Sequence, residues 1–205
     1  MSSSDGLGDA GRFSVLAISG SLRKGSFNTG LLRAAREVAP DGLEIQIFSL
    51  DEVPLYNGDV EAEGDPAAVA ALKSAIRQAD GVLFATPEYN YGISGVLKNA
   101  IDWASRDRGE GSLVGKPVTM IGAGGRAGTA RAQLQLQHVL SETGAVVMVK
   151  PGVFVDLAWE KFDSEGRLMD RDTRDLLRGH LEAFATWMAR LGTKRVGPVP
   201  AGEIS

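Results

Sequence analysis

Along the chain, short apolar runs alternate with longer stretches whose apolar residues recur every three or four positions, the pattern of repeated β–α–β units around a parallel sheet. Five such pairs are legible. Phe13-Ser14-Val15-Leu16-Ala17-Ile18 is nearly continuous in apolar residues and ends at Ser19-Gly20, which predicts a central strand covered on both faces. A helix from about Asn28 carries Leu31, Ala35 and Val38 on one face and stops at Pro40-Asp41-Gly42. Leu43 to Phe48 alternates apolar with polar, so the second strand belongs at a sheet edge with one wetter face. The long connection from Ser49 to Gly64 has the length of a binding loop, and an ordered surface loop fits equally well.

Asp65-Pro66 reads as the N-cap and first-turn proline of a helix that buries Val69, Leu72, Ile76 and Ala79. Gly81 to Thr86 is the third strand, broken at Pro87, and a helix beginning near Ser94 aligns Leu97, Ile101 and Ala104. Pro117 to Ile121 and Ala145 to Val149 predict the fourth and fifth strands, joined through a glycine-rich turn and a helix ending near Glu142. A last helix, from about Arg171 to Leu191, presents Leu177, Leu181, Phe184, Met188 and Leu191 to the sheet. Right-handed crossovers in a five-stranded doubly wound α/β sheet give the order 2-1-3-4-5 with helices on both faces. Ligands in such sheets sit at the switch point, off the carboxyl ends of strands one and three. Two loops therefore matter most: Ser19 to Asn28 and Thr86 to Ser94.

Composition narrows the function classes. Apolar residues make up 43% and charged residues 23%, as in ordinary globular proteins, and one domain is expected over residues 12–192 between a disordered tail, 1–11, and a flexible one, 193–205. No apolar run reaches the roughly 18 residues needed to span a bilayer, and the first residues lack the basic and apolar regions of a secretory signal, so a cytoplasmic protein is expected. The absence of cysteine excludes disulfides, thiolate nucleophiles and cysteine-held metal or iron–sulfur centres. Any redox chemistry must come from a bound cofactor. With a net charge of −4 and scattered basic residues, nucleic acid is not an expected partner.

The first loop is dense in small and hydroxyl residues: Ser19, Gly20, Ser21, Arg23, Gly25, Ser26, Asn28 and Thr29. It opens directly into a helix, whose free N–H groups and partial positive charge favour an anion. A plain helix cap by Ser26 or Asn28 is the simpler alternative, but the length of the loop and its place at the switch point favour anion binding. No Walker sequence is present, which argues against an NTPase. The second loop, Pro87-Glu88-Tyr89-Asn90-Tyr91-Gly92-Ile93-Ser94-Gly95, pairs aromatics with glycine-freed backbone that can lie along the edge of a flat heterocycle.

Gly-Ser-Leu-Arg-Lys-Gly-Ser-Phe-Asn at 20–28, Pro-Glu-Tyr-Asn-Tyr at 87–91 and Leu-Lys-Asn-Ala-Ile-Asp-Trp at 97–103 together resemble the NADPH-dependent FMN reductase family, in its bacterial quinone and chromate reductase branch. The resemblance implies a flavodoxin-like fold, bound FMN, and NADPH or NADH as hydride donor. It places Ser21, Arg23, Ser26, Phe27 and Asn28 around the FMN phosphate and Pro87, Glu88, Tyr89, Asn90 and Tyr91 along the isoalloxazine. It also implies small-molecule acceptors, namely quinones, azo compounds, flavin or metal oxyanions such as chromate, and a homodimer or homotetramer. Trp103, Leu134 and His138 are expected off the main core faces, where a subunit boundary could use them.

A third loop, Gly122-Ala123-Gly124-Gly125-Arg126-Ala127-Gly128, matches Gly-x-Gly-x-x-Ala but does not follow the first strand of its unit and lacks the later ribose-binding acid. Such a match more often marks close approach of the backbone to a ligand or a helix, and the family resemblance implies the former, with this turn, Gly124 included, flanking the flavin. Arg126 is a solvated arginine by default, with the extra phosphate of NADPH as the alternative. His138 and His180 lack metal spacing and are expected at the surface or an interface. Neither a metal site nor a catalytic triad can be assembled, consistent with chemistry carried by the flavin. The alternatives are a flavodoxin-type electron carrier without nicotinamide activity, and a dehydrogenase binding only a dinucleotide.

Overall fold

The structure, a computed structural model, describes residues 12–106 and 111–193. The expected tails, 1–11 and all of 193–205 except Thr193, lie outside the described residues. Five parallel strands, β1 (Phe13–Ser19), β2 (Leu43–Phe48), β3 (Gly81–Ala85), β4 (Pro117–Ala123) and β5 (Val146–Val155), pair in the order β2-β1-β3-β4-β5. This is the doubly wound order that the crossover rule predicts. Among the described residues the helices are α1 (Phe27–Glu37), α2 (Gly58–Glu63), α3 (Ala67–Gln78), α4 (Gly95–Ala104), α5 (Ala130–Glu142), α6 (Ala158–Lys161) and α7 (Arg171–Arg190).

The period of two along β1 divides the core. Phe13, Val15 and Ala17 pack with Leu31, Leu32 and Ala35 of α1 and with Leu177, Leu181 and Phe184 of α7. Leu16 and Ile18 face Leu72 and Ile76 of α3, Leu97 and Ile101 of α4 and Leu136 and Leu140 of α5. Each such fully buried side chain contributes roughly 1.5–3 kcal/mol relative to exposure. At the sheet edge, β2 buries Leu43 and Ile45 and exposes Glu44 and Gln46, as its alternation predicts.

Several expectations need correction. Asp65 does not cap α3, whose first turn follows Pro66; its carboxylate instead takes the ammonium of buried Lys73 at 2.8 Å. Lys73 also donates to the carbonyl of Arg106, 2.6 Å away, so a charge that cannot remain unpaired in the core ties α3 to the end of α4. Trp103 is buried, not at a boundary. Its indole donates to the carbonyl of Pro54 at 2.9 Å and meets Tyr56 edge-on, while Asn99 accepts from the Tyr56 amide, so α4 pins the 49–64 connection, which itself contains α2. Leu191 is exposed because α7 ends at Arg190.

β5 runs past Pro151, where a proline reads locally as a stop. The strand breaks register there and resumes, with Ile121 opposite Val153. His180 accounts for part of this irregularity and is a core residue, contrary to expectation. Its Nδ1 lies 2.7 Å from the carbonyl oxygen of Pro151 and its Nε2 3.1 Å from the hydroxyl of Thr119. A carbonyl can only accept, so Nδ1 carries the proton of the neutral ring. Burial pushes the His180 pKa down to about 4, partly countered by that carbonyl. His138 is exposed, as expected.

Candidate functional site

The carboxyl ends of β1, β3 and β4 bring the three loops to one edge of the sheet. In the first, Ser26 caps α1, its hydroxyl accepting from the Thr29 amide at 3.2 Å, and its own amide donates to the carbonyl of Arg23. The amides of Leu22, Arg23, Lys24, Gly25, Phe27 and Asn28 meet no acceptor among the described residues. The hydroxyl of Ser21 is half-buried, and the exposed guanidinium of Arg23 stands 5.3 Å from the Phe27 ring centre, which in turn packs on Phe162. Six free amides, two in the first turn of α1 and four in the loop before its cap, with a hydroxyl and a guanidinium beside them, form a donor set suited to a phosphate monoester.

Asn28 has another task. Buried under the loop, its amide nitrogen donates to the carbonyl of Ala123 at 2.9 Å, and its amide oxygen accepts from the Ala123 N–H at 3.0 Å. The start of α1 is thereby fixed to the end of β4. Gly20 brings the second loop equally close, because a Cβ there would stand 2.9 Å from the Ser94 hydroxyl and 3.0 Å from Pro87 Cδ. Ser94 in turn donates to the carbonyl of Gly20 at 2.6 Å and caps α4.

In the second loop, Tyr89 and Gly92 exchange two backbone hydrogen bonds around Asn90 and Tyr91, whose φ values are +49° and +65°. Two central residues with positive φ make this a tight turn of the kind usually built from asparagine and glycine. Asparagine accepts that geometry, but a tyrosine there is held at a cost. Helix α5 holds it. The Arg131 guanidinium lies 3.9 Å from the Tyr91 ring centre, and Gln135 accepts from the Ile93 amide at 2.8 Å.

Glu88 completes the grip, because its carboxylate accepts from the Arg131 and Ala132 amides at 3.0 and 3.2 Å and pairs with the Arg131 guanidinium at 2.5 Å. Burial opposes its ionisation, yet the Arg131 side chain and the two amides outweigh that penalty and hold its carboxyl below the ordinary range. Pro87 sits at the turn from β3, its carbonyl accepting from the Thr86 hydroxyl. Tyr89 and Tyr91 keep exposed rings.

The third loop faces the second. Gly124 donates its amide to the carbonyl of Val155 and contributes no side chain, while Gly128, at φ +53°, lies so near Phe154 that a Cβ would come within 2.7 Å of its backbone. The turn is thus pressed onto the far half of β5. Between the second and third loops opens a cleft of about 590 Å³, lined among others by Asn90, Tyr91, Arg126, Thr129 and Arg131. Arg126 is exposed there, with neither hydrogen bond nor ion pair to the described residues. Among the described residues no cluster of metal-ligating side chains occurs.

The sequence-predicted residues therefore divide. Ser21, Arg23, Ser26 and Phe27 gather at the α1 end; Glu88, Asn90 and Tyr91 line the cleft, while Pro87, Tyr89 and Gly124 belong to the loops around it without lining it. Arg131 and Gln135 escaped sequence reasoning because they lie in a helix some 40 residues from the loop they hold. The Gly-Thr-Ala-Arg start of α5, a cation at the wrong end of a helix, was the available signal.

The cleft between the two turns and the free amides of the first loop suit a phosphate-bearing heterocycle such as FMN. The family model for NADPH-dependent FMN reductase matches residues 13–160. Over 178 residues the chain is 48% identical to an NAD(P)H-dependent FMN reductase of Pseudomonas aeruginosa, covering 86% of this chain and 96% of that one. A quinone reductase of Escherichia coli is 43% identical over 184 residues, 88% of this chain and 97% of its own. Among solved structures, the flavoenzyme NAD(P)H:(acceptor) oxidoreductase FerB of Paracoccus denitrificans superposes with a TM-score of 0.78 at 36% identity, covering 87% of this chain and 98% of that chain.

Proposed function

This chain belongs to the NADPH-dependent FMN reductase family and is an NAD(P)H-dependent flavoenzyme with FMN as its cofactor, and we propose that its three switch-point loops divide the work of holding that cofactor. The observation that carries this reading is the row of unpaired amides between Leu22 and Asn28, on a loop that meets the second loop through Gly20 and Ser94. Leu22 to Gly25, Phe27, Ser21, the Ser26 hydroxyl and Arg23 hold the phosphate. Asn28 acts as a brace beneath them through Ala123. The backbones of the second loop and of the Gly124 turn border the ring, with Glu88 and Arg131 fixing the strained tyrosine rather than touching the reacting atoms.

Bound FMN supplies hydride acceptance at N5 and electron release to the second substrate. The chain contributes position: the three loops would hold the cofactor beside the cleft between the second and third loops, which donor and acceptor would enter in turn. Quinones are the acceptor class, supported by the quinone reductases among the relatives; azo compounds, free flavin and chromate extend the same chemistry. An electron carrier without nicotinamide activity is not favoured, since the relatives are reductases.

Among the described residues no helix is long and apolar enough to cross a membrane. The dependence on NAD(P)H, an intracellular donor, supports a cytoplasmic setting. Leu134, 70% exposed beside His138 on the outer face of α5, supports a homodimer or homotetramer built near the cleft.

Anaerobic mixing of FMN-loaded protein with NADPH and NADH in turn should bleach the flavin rapidly with at least one of them. Failure to bind FMN, or slow reduction by both with a stable one-electron form, would sink the reading. Within it, Arg23→Ala should weaken FMN by about 1–3 kcal/mol, the range for one charged hydrogen bond. Titration calorimetry showing unchanged affinity would mean that Arg23 serves only to cover Phe27.

A further inference from the structure

The two arginines that line the cleft differ in state. Arg131 is spoken for: Glu88 neutralises it through two contacts and Tyr91 lies against its plane. Its guanidinium cannot turn toward a ligand without releasing the carboxylate that caps α5 and the ring of a residue held at positive φ. Arg126 has no such obligations. It projects from a turn between Gly125 and Gly128, exposed, and it meets no carboxylate among the described residues. Among the described residues that line this cleft Glu88 is the one acid, and it is already paired, so this lining carries one uncompensated positive charge.

NADPH and NADH differ by a single ribose 2′-phosphate, which carries roughly −1.5 to −2 charge at neutral pH. A free, exposed guanidinium offers two parallel N–H groups to such an oxyanion without first breaking an internal pair. The cleft lies between the second and third loops, which the proposed function reads as borders of the flavin, so a donor entering it would meet Arg126 on its wall. The outer face of Tyr91 stands exposed along that path for an adenine to stack on.

We propose that Arg126 is the residue that sets donor specificity, its guanidinium taking the 2′-phosphate of NADPH so that this enzyme prefers NADPH to NADH. Arg131 is a scaffold for the turn and does not discriminate. The assignment rests on the reading of the loops as the walls of the flavin site.

The test compares the wild type with Arg126→Ala and Arg131→Ala. For Arg126→Ala the NADPH-to-NADH ratio of kcat/KM should fall by about 10- to 100-fold, the equivalent of one charged contact, through KM more than kcat. Arg131→Ala should lower both donors alike. Titration calorimetry supplies a readout independent of turnover: 2′,5′-ADP should bind the wild type more tightly than 5′-AMP, and Arg126→Ala should abolish the difference. A donor ratio and a nucleotide difference that survive in Arg126→Ala, or a wild type that prefers NADH, would overturn the assignment alone. If the FMN-loaded wild type is reduced by neither nicotinamide, the flavin-site reading and this assignment fall together.

Discussion

Asn28→Leu should lose about 2–5 kcal/mol of folding stability, because it strips partners from two buried main-chain groups at once. The Ala123 N–H and carbonyl both depend on the Asn28 amide, at 3.0 and 2.9 Å, and Ala123 stands at the buried end of β4. Each orphaned group costs roughly 1–3 kcal/mol, and leucine, though branched like asparagine, restores neither bond. Urea unfolding of the apoprotein measures this loss. FMN affinity should fall as well, although the side chain is not proposed to touch the cofactor, since the phosphate loop and the Gly124 turn would no longer be held together. Asn28→Asp should fare little better, because its second oxygen would face the Ala123 carbonyl where a donor is needed. A stability change below about 0.5 kcal/mol in Asn28→Leu would show that water replaces the amide and that the brace is unimportant.

Acidification should destabilise the protein by about 3 kcal/mol between neutral pH and pH 4 through His180 alone. In the unfolded chain this imidazole takes a proton near its ordinary pKa of 6.5, whereas in the folded protein burial delays protonation to about 4. Between those values the unfolded state binds more protons, so stability is fully present above 6.5 and is lost as pH falls toward 4. Glu88 adds to the same trend lower down: its folded carboxyl is held below the ordinary value, so its contribution disappears as pH falls through that lowered value. His180→Leu separates the two. It leaves the Thr119 hydroxyl its bond to the carbonyl of Met148, at 3.0 Å, and removes the donor to the carbonyl of Pro151, itself an exposed residue. The variant's stability between pH 7 and 4 should decline by about 3 kcal/mol less than the wild type's. Parallel pH profiles would mean that the folded ring protonates as readily as the unfolded one.

Much of the fold was legible because its information is local. A run such as Val15 to Ile18 can be satisfied only between two layers, and the alternation from Leu43 to Phe48 only at an edge. Where two local signals competed, the sequence misled. Asp65 before Pro66 is a good capping pair, but buried Lys73 has the stronger claim on the carboxylate, since an unpaired ammonium in the core costs more than an uncapped turn. Pro151 reads as the end of a strand, and only the neighbouring helix shows why the chain continues past it. His180 looked like a surface residue because nothing within its own helix predicts a carbonyl exposed by a bulge 29 residues earlier.

The site divides along the same line. The Gly20–Asn28 loop could be recognised from its own residues, because hydroxyls, glycines and an arginine ahead of a helix create an anion-binding end wherever they occur. What Asn28 does there could not be read, since asparagine serves equally as ligand, cap or brace and its partner lies 95 residues away. The sequence by itself determined the layered α/β fold, the order of its strands and the loops at the switch point, through periodicities and chirality that act over a few residues. Only the tertiary structure decided which charges are already spent: Glu88 on Arg131, Asp65 on Lys73, and Arg126 on nothing among the described residues. Pairing between distant side chains depends on packing geometry, which no local pattern encodes.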